Sequence, residues 1–337
     1  MPSARKERSP RRKSEIKPGW YGLAAQGALL ILIFFLVPAL SDSSPWASAL
    51  GYLPPLIYWF AATIITFTAV AMRRKYSWIH IAVWILIFPL YTGFIPRLPR
   101  AQPEKNTTLR VMTLNVLGDR CDIDALAEYI QKGNLDVIML QESRLPNGDV
   151  THELAEKLSG YKAFSAGETG ILTRLETLKH RYRPIPAPYD RFIVRVTAKW
   201  KGQPVEFMTT HWTIPPFRGD MRKVLARIEQ EDARRAKQIK ETLQEVDLQT
   251  NPVVLAGDFN TPRLHAQLHG LRSRMTNAWE AAGSGFGYTF SAKRPMTRID
   301  HVWADDNWEI GRCIVGPSFG ADHRSVVADL VLKDSKR

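Results

Sequence analysis

The sequence predicts an α/β domain with substantially antiparallel sheets, set behind three transmembrane helices. Three observations carry that reading. Long apolar stretches are confined to the first 95 residues, strand-like and helix-like patterns alternate over residues 109–333, and several apolar strands end abruptly in polar residues.

The apolar stretches come first. Trp20 to Leu40 is 21 residues without a charge, Trp46 to Met72 is 27, and Trp78 to Ile95 is 18. About 20 apolar residues cross a bilayer as a helix, so the first two qualify and the third is short. Its Trp and Tyr residues near the ends suit a membrane interface. A cleavable leader is the alternative reading of the first stretch, because Ala39 and Ser41 resemble a small-residue cleavage site. The later two stretches predict a membrane-bound chain in either case.

Charge supplies the orientation. Residues 1–105 carry 13 Lys and Arg against 4 Asp and Glu, leaving 33 against 29 in the rest of the chain. The net charge of +13 is therefore mostly membrane flank, which argues against nucleic-acid binding as its cause. Arg5, Lys6, Arg8, Arg11, Arg12, Lys13 and Lys17 precede the first stretch, and Arg73, Arg74 and Lys75 separate the second from the third. The connection between the first two holds only Asp42. The positive-inside rule then makes residues 1–19 a cytoplasmic tail and places everything after Ile95 outside the cytoplasm. Cys121 and Cys313 lie in that exported part, where a disulfide and two packed thiols are both compatible with the sequence.

Residues 96–108, with Pro96, Pro99 and Pro103, read as a linker. At ~3.5 Å per residue it reaches roughly 45 Å at most, which would hold residues 109–333 close to the membrane. In that domain Leu109 to Asn115 reads as a strand. Asp122 caps a helix that Gly133-Asn134 ends. Asp136 to Gln141 is a buried strand, and Arg191–Trp200 with Pro204–His211 form a hairpin around Lys201-Gly202-Gln203. A long helix spans about 218–246. Further strands are expected over 252–258, 297–304, 309–315 and 325–332. No internal repeat is present.

The chemistry sits where those strands stop. Asn115 follows Val111-Met112-Thr113-Leu114, and Gln141-Glu142 follow Val137-Ile138-Met139-Leu140. Thr210 leads to His211, and Val253-Val254-Leu255-Ala256 leads through Gly257 to Asp258-Phe259-Asn260. Asp300-His301 and Asp322-His323 complete the set. Alternation along an extended chain puts Asp258 and Asn260 on one face and Phe259 on the other. Taken singly, a strand-end Glu is more often solvated, and a lone His more often structural.

In their order these six motifs resemble the endonuclease/exonuclease/phosphatase superfamily, the DNase I-like metal phosphoesterases, over essentially all of residues 109–333. The resemblance implies a four-layer α/β/β/α sandwich with the strand ends converging on one cleft. It implies Glu142 as the main ligand of Mg2+ or Mn2+, with Asn115 and Asp322 nearby. Asp258 would orient and deprotonate the attacking water, supported by Asn260. His211 and His323 would donate to phosphoryl oxygens, and Asp300 would orient His323. His301 is expected to be structural, and His152, His180, His265 and His269 to lie on the surface or in packing. Abasic-site endonucleases of this superfamily carry an acidic residue where this chain has Leu117, and tend to have Tyr where it has His211. Both differences point away from that branch.

The substrate is less legible. Trp212-Thr213-Ile214-Pro215-Pro216-Phe217 reads either as a loop packed on the domain or as an apolar contact at the cleft rim for a lipid chain or the membrane. Three spans followed by such a domain also resemble VanJ-type bacterial membrane proteins. That resemblance implies a lipid-linked phosphate or pyrophosphate, such as an undecaprenyl carrier. An extracytoplasmic nuclease or phosphodiesterase acting on DNA or RNA is the alternative, less favoured because the domain is compact and only modestly basic.

Overall fold

The computed structural model describes residues 19–32, 36–41, 44–71, 77–98, 107–214 and 221–333. The basic tail, Arg73 to Lys75, most of the linker and Pro215 to Phe217 fall outside them.

Five helices come first: α1 (Gly19–Ile31), α2 (Val37–Leu40), α3 (Pro45–Gly51), α4 (Pro55–Ala71) and α5 (Ser77–Thr92). The three continuous spans expected from the sequence are not present among the described residues, where no single helix is long and apolar enough to cross a membrane. The stretch 46–72 is broken into α3 and α4, whose axes are bent by 88°. Pro54 and Pro55 explain the break, since neither offers a backbone N–H and each disfavours helix in the residue before it. Only that bent pair passes the length and apolarity test, taken together. The third stretch gives a 16-residue helix with Pro89 inside it, and the left-handed Gly93 follows its end. Helices α1, α4 and α5 pack on one another.

Among the described residues the α/β domain has fourteen strands. They are β1 (Leu109–Asn115), β2 (Val137–Gln141), β3 (Arg144–Leu145), β4 (Gly148–Asp149), β5 (Lys162–Ala166), β6 (Thr169–Thr173) and β7 (Thr177–Ile185). Then follow β8 (Arg191–Trp200), β9 (Gln203–His211), β10 (Val253–Asp258), β11 (Thr276–Asn277), β12 (Asp300–Ala304), β13 (Trp308–Val315) and β14 (Val326–Leu332). Helices α6 (Ile123–Gly133), α7 (Val150–Lys157), α8 (Met221–Asp247), α9 (His269–Arg272) and α10 (Ala278–Ala282) lie among them. Two six-stranded sheets result, ordered β13-β14-β1-β2-β6-β5 and β11-β12-β10-β9-β8-β7, both mixed and mostly antiparallel.

Side-chain alternation turns these sheets into four layers. Leu109, Val111, Val137, Met139, Val205, Phe207, Val254, Ala256 and Val302 form the core between the sheets. Their neighbours Met112, Leu114, Ile138 and Leu140 face the other way, onto Leu126 and Ile130 of α6 and Leu154 of α7. Met208, Val253, Leu255 and Trp303 face outward from the second sheet, onto Val246, Ile239 and Leu243 of α8. The expected sandwich is thus present, helices outside and sheets within.

Local chemistry accounts for the predicted elements. The Asp122 side chain accepts from the Ala125 N–H at 3.0 Å to start α6, and left-handed Asn134 ends it. Lys201 and Gly202 both have positive φ, as a two-residue hairpin turn requires. Strands β5, β6 and β7 had no clear sequence signal. In β7 the run Leu178 to Tyr182 is exposed along an edge, so no buried face marks it.

Candidate active site

The inward-facing residues of the central strands lead to one place. On β1 the series Leu109, Val111, Thr113 ends in Asn115. On β9 it runs Val205, Phe207, Thr209 to His211, and on β10 Val254, Ala256 to Asp258. Strand β12 is antiparallel to β10, so its first residue, Asp300, lies opposite Asp258. Gly257 is required where β9 and β10 pair, because a Cβ there would meet the Thr210 carbonyl oxygen at 2.1 Å.

One carboxylate oxygen is the hub. Asp258 Oδ2 accepts from Asn115 Nδ2 at 3.2 Å and from Asn260 Nδ2 at 3.2 Å. His211 Nε2 lies 3.5 Å from it and His323 Nε2 3.7 Å. The other oxygen of Asp258 accepts the Asn260 N–H at 2.8 Å. Asn260, just past the strand end, is left-handed, and its amide also donates to the Trp212 carbonyl at 2.9 Å. Phe259 is buried on the opposite face against Trp212. Glu142, left-handed beyond β2, accepts from Asn115 Nδ2 at 2.9 Å.

Each histidine is backed by a carboxylate. His323 Nδ1 lies 2.9 and 3.1 Å from the two oxygens of the buried Asp300. Burial by itself would lower the His323 pKa. The charges of Asp300, Asp258 and Asp322 outweigh it and raise the value to about 10, so the ring is cationic at neutral pH. His211 Nδ1 lies 2.7 Å from Glu168 Oε1, which Arg191 Nε approaches at 2.6 Å. Burial would raise the Glu168 carboxyl, but His211 and Arg191 overcome that and hold it below its usual value. Sequence reasoning missed Glu168 and Arg191. Glu168 stands in a loop before β6 of the other sheet, and nothing local in Gly167-Glu168-Thr169-Gly170 announces its partner.

Of the residues expected at the site, Asn115, Glu142, His211, Asp258, Asn260, Asp300 and His323 are brought together. Asp322 is half-buried beside His323 and shares no hydrogen bond with Asn115 or Glu142. His301 is buried, 3.0 Å from the Thr261 carbonyl, its pKa lowered to about 3 by burial and by Arg298. His265 is packed rather than surface, whereas His152, His180 and His269 are exposed. Both cysteines are free. Trp212 is fully buried, its indole N–H on Thr242 Oγ1, so it is a core residue and not a rim contact; Ile214 is exposed.

The donor set fits a hard divalent cation. Glu142, Asp258, Asp300, Asp322 and Glu168 crowd negative charge around the hub, and oxygen ligands of this kind suit Mg2+ or Mn2+. Asp258, Asp300 and His323 present ligand atoms within 4.8 Å of one another. Both Asp300 oxygens are taken up by His323 Nδ1, however. Glu142 is better placed, since it lines an open cleft of about 340 Å3 with Leu117, Gly118, Arg144, Glu168, Tyr189 and Asp190. A larger cavity of about 530 Å3, between Ser41, Ser44 and Pro45 on one side and α8 on the other, holds none of these groups.

Residues 112–323 match the Endonuclease/Exonuclease/phosphatase family. The chain belongs to that family. It is accordingly a metal-dependent phosphoric ester hydrolase. No curated protein matches the sequence. Among solved structures it is similar to an endonuclease/exonuclease/phosphatase from Beutenbergia cavernae, at 23% identity over 67% of this chain and 72% of that one, with a TM-score of 0.55. It is also similar to a mannosyl-6-phosphatase from Bacteroides thetaiotaomicron, at 17% identity over 66% and 100%, with a TM-score of 0.53. A third is D. rerio TDP2 complexed with a single-strand DNA product, at 18% over 66% and 99%, with a TM-score of 0.51. At these identities the likeness carries the fold, and these family members differ widely in what they act on.

Proposed function

We propose that the protein is a membrane-anchored phosphoesterase that hydrolyses a phosphoester or pyrophosphate bond of a lipid-linked substrate on the extracytoplasmic side. The chemistry rests on the convergence of two amides and two carboxylate-backed imidazoles on Asp258 Oδ2, with Glu142 joined to them through the Asn115 amide. Glu142 and Asn115 would hold Mg2+, with Asp322 close by. The cation, when bound, neutralises charge on a phosphoryl oxygen. Asp258 orients the attacking water and takes its proton, and Asn260 fixes Asp258 through two hydrogen bonds. The Nε2–H of His323 donates to phosphoryl oxygens as charge builds, His211 assisting, while Asp300 holds His323.

Anchoring is supported by surfaces outside the sandwich. Helices α4 and α5 expose Ile57, Phe60, Ile64, Phe67, Ile85 and Leu86, a row of large apolar side chains that water disfavours. Ser41, α3 and the chain after α5 all rest on the α/β domain: Ala266 N–H donates to Ser41 Oγ, Ser48 Oγ lies 3.4 Å from His265 Nε2, and Ile95 pairs with Gly285. That common side agrees with an even number of crossings between α3 and Ile95, which α4 and α5 together would supply. The Tyr288 hydroxyl donates to the Thr92 carbonyl, and Phe290, two residues on, lies against His323. The end of α5 is therefore coupled closely to the reaction centre, as suits a substrate confined to the bilayer surface.

A panel of polyprenyl pyrophosphate, phospholipid, a generic phosphodiester, DNA and RNA, with Mg2+ or EDTA, tests the reading. Turnover of the lipid phosphate, abolished by EDTA, Glu142→Ala and Asp258→Ala, is expected, with losses of about 10³–10⁴-fold for Asp258→Ala. Rapid nucleic-acid cleavage without lipid turnover would overturn the substrate class. Full activity in Asp258→Ala would overturn the chemistry.

A further inference from the structure

Arg235 of α8 is fully buried, and each of its hydrogen-bond acceptors is an uncharged oxygen. Its Nη1 donates to the Thr213 carbonyl. Its Nη2 donates to the Phe259 carbonyl at 2.9 Å and to Thr261 Oγ1, and its Nε donates to Gln267 Oε1 at 2.9 Å. Those acceptors are not scattered. Thr213 lies two residues after His211, while Phe259 and Thr261 flank Asn260, with Phe259 immediately after Asp258. The same two loops are joined in front by the Asn260 amide on the Trp212 carbonyl and by the Trp212 N–H on the Asp258 carbonyl at 3.0 Å. A planar guanidinium with donors in a fixed fork staples them from behind.

The fourth acceptor leads to the N-terminal helices. Gln267 Oε1 also receives the Tyr52 hydroxyl at 2.8 Å, and the Arg235 guanidinium lies 5.5 Å from the centre of the Tyr52 ring. Tyr52 stacks on His265 at 4.3 Å, and Ser48 Oγ lies 3.4 Å from His265 Nε2. Gly51 lets the segment approach this closely, because a Cβ there would meet His265 Cδ2 at 2.6 Å. The contact is polar and dedicated, unlike a greasy face that any neighbour would satisfy.

We infer that Arg235 is a positioning residue for the reaction centre, and that α3 and Tyr52 set it through Gln267. Seating of the N-terminal helices on the domain thereby controls turnover. This rests on Asp258, Asn260 and His211 being the reacting groups. A buried cation tied to two loop carbonyls fixes their spacing, and displacements of about 1 Å at such a centre cost about a hundredfold in rate.

The test uses the full-length protein in detergent micelles, with bis(p-nitrophenyl) phosphate and Mg2+ as the probe. Arg235→Met should lower kcat by about a hundredfold and leave KM within about twofold, since the residue touches no substrate. Arg235→Lys should recover part of kcat. Tyr52→Phe, which removes one hydroxyl and preserves the ring, should lower kcat by about three- to tenfold at unchanged melting temperature. Hydrogen exchange read on the same proteins should show faster exchange in peptides covering 211–214 and 257–262, with the strands unaffected. Wild-type kcat and wild-type exchange in a folded Tyr52→Phe would overturn the inference, as would losses that fall on KM alone. If Arg235→Met does not fold, the Tyr52→Phe exchange pattern decides. Asp258→Ala in parallel separates the two ideas: its full activity would refute the assigned reaction centre, whereas its inactivity beside an unaffected Tyr52→Phe would refute only the positioning role.

Discussion

His211 and His323 reach the same oxygen of Asp258 with different support behind them. His323 has Asp300 to itself: the carboxylate is wholly buried, meets Nδ1 with both oxygens, and helps to hold the ring cationic. His211 shares Glu168 with Arg191, whose guanidinium also reaches the His211 carbonyl at 3.4 Å. In one arm the full negative charge serves the imidazole. In the other the charge is divided between a ring and a guanidinium, and the carboxylate mainly fixes orientation. In the mechanism proposed above, the two arms would therefore be expected to differ in how strongly each depends on its carboxylate.

That contrast can be broken from either side. Asp300→Asn keeps the shape and removes the charge that makes His323 cationic, so kcat should fall by about a thousandfold with little change in KM. A loss of tenfold or less would mean that the His323 charge is not used. Glu168→Gln leaves Arg191 in place and His211 still able to find an acceptor, so a smaller fall, of about ten- to a hundredfold, is expected from the same kinetics. Equal losses in the two variants would erase the distinction.

A third carboxylate serves as the comparison without catalysis. Glu280 of α10 meets Arg272 and Arg298 and contacts none of the site residues. Burial would raise its pKa, but the Arg272 hydrogen bond and the charges of Arg272, Arg298 and Arg263 lower it from 4.5 to about 2. Its pKa is therefore lower folded than unfolded, so the associated stability is fully present above about pH 4.5 and is lost as pH falls toward 2. The shift corresponds to about 3 kcal/mol at neutral pH. Glu280→Gln should lower the melting temperature at pH 7, flatten the decline between pH 4.5 and 2, and leave kcat essentially unchanged. A variant with the wild-type acid profile would show that Glu280 contributes no pH-linked stability.

Much of the sandwich and most of its site were legible because they depend on local periodicity. Strands β1, β9 and β10 alternate between two apolar environments, and the next inward position beyond the core is where Asn115, His211 and Asp258 stand. Strand β7 left no such trace, since an exposed edge strand has no buried face to write into the pattern. Glu168 was equally hidden, because its partner comes from the other sheet and no spacing along the chain encodes a contact between sheets.

The N-terminal stretches divide in the same way. Their apolar composition can be counted from residues alone, as can the basic flanks that suggest an orientation. Where the backbone turns is a different matter: Pro54-Pro55 breaks the second stretch, and the bend brings Tyr52 onto Gln267. A buried arginine in a helix as charged as α8 reads as one more surface cation until packing surrounds it. Sequence by itself determined the strand-end residues and their order, because alternation and order along the chain are one-dimensional signals. The four layers came only through the family resemblance that this order carries. Only the tertiary structure decided which carboxylate backs which histidine and how the first helices meet the reaction centre. Those pairings are made across space, by groups whose separation along the chain carries no information about contact.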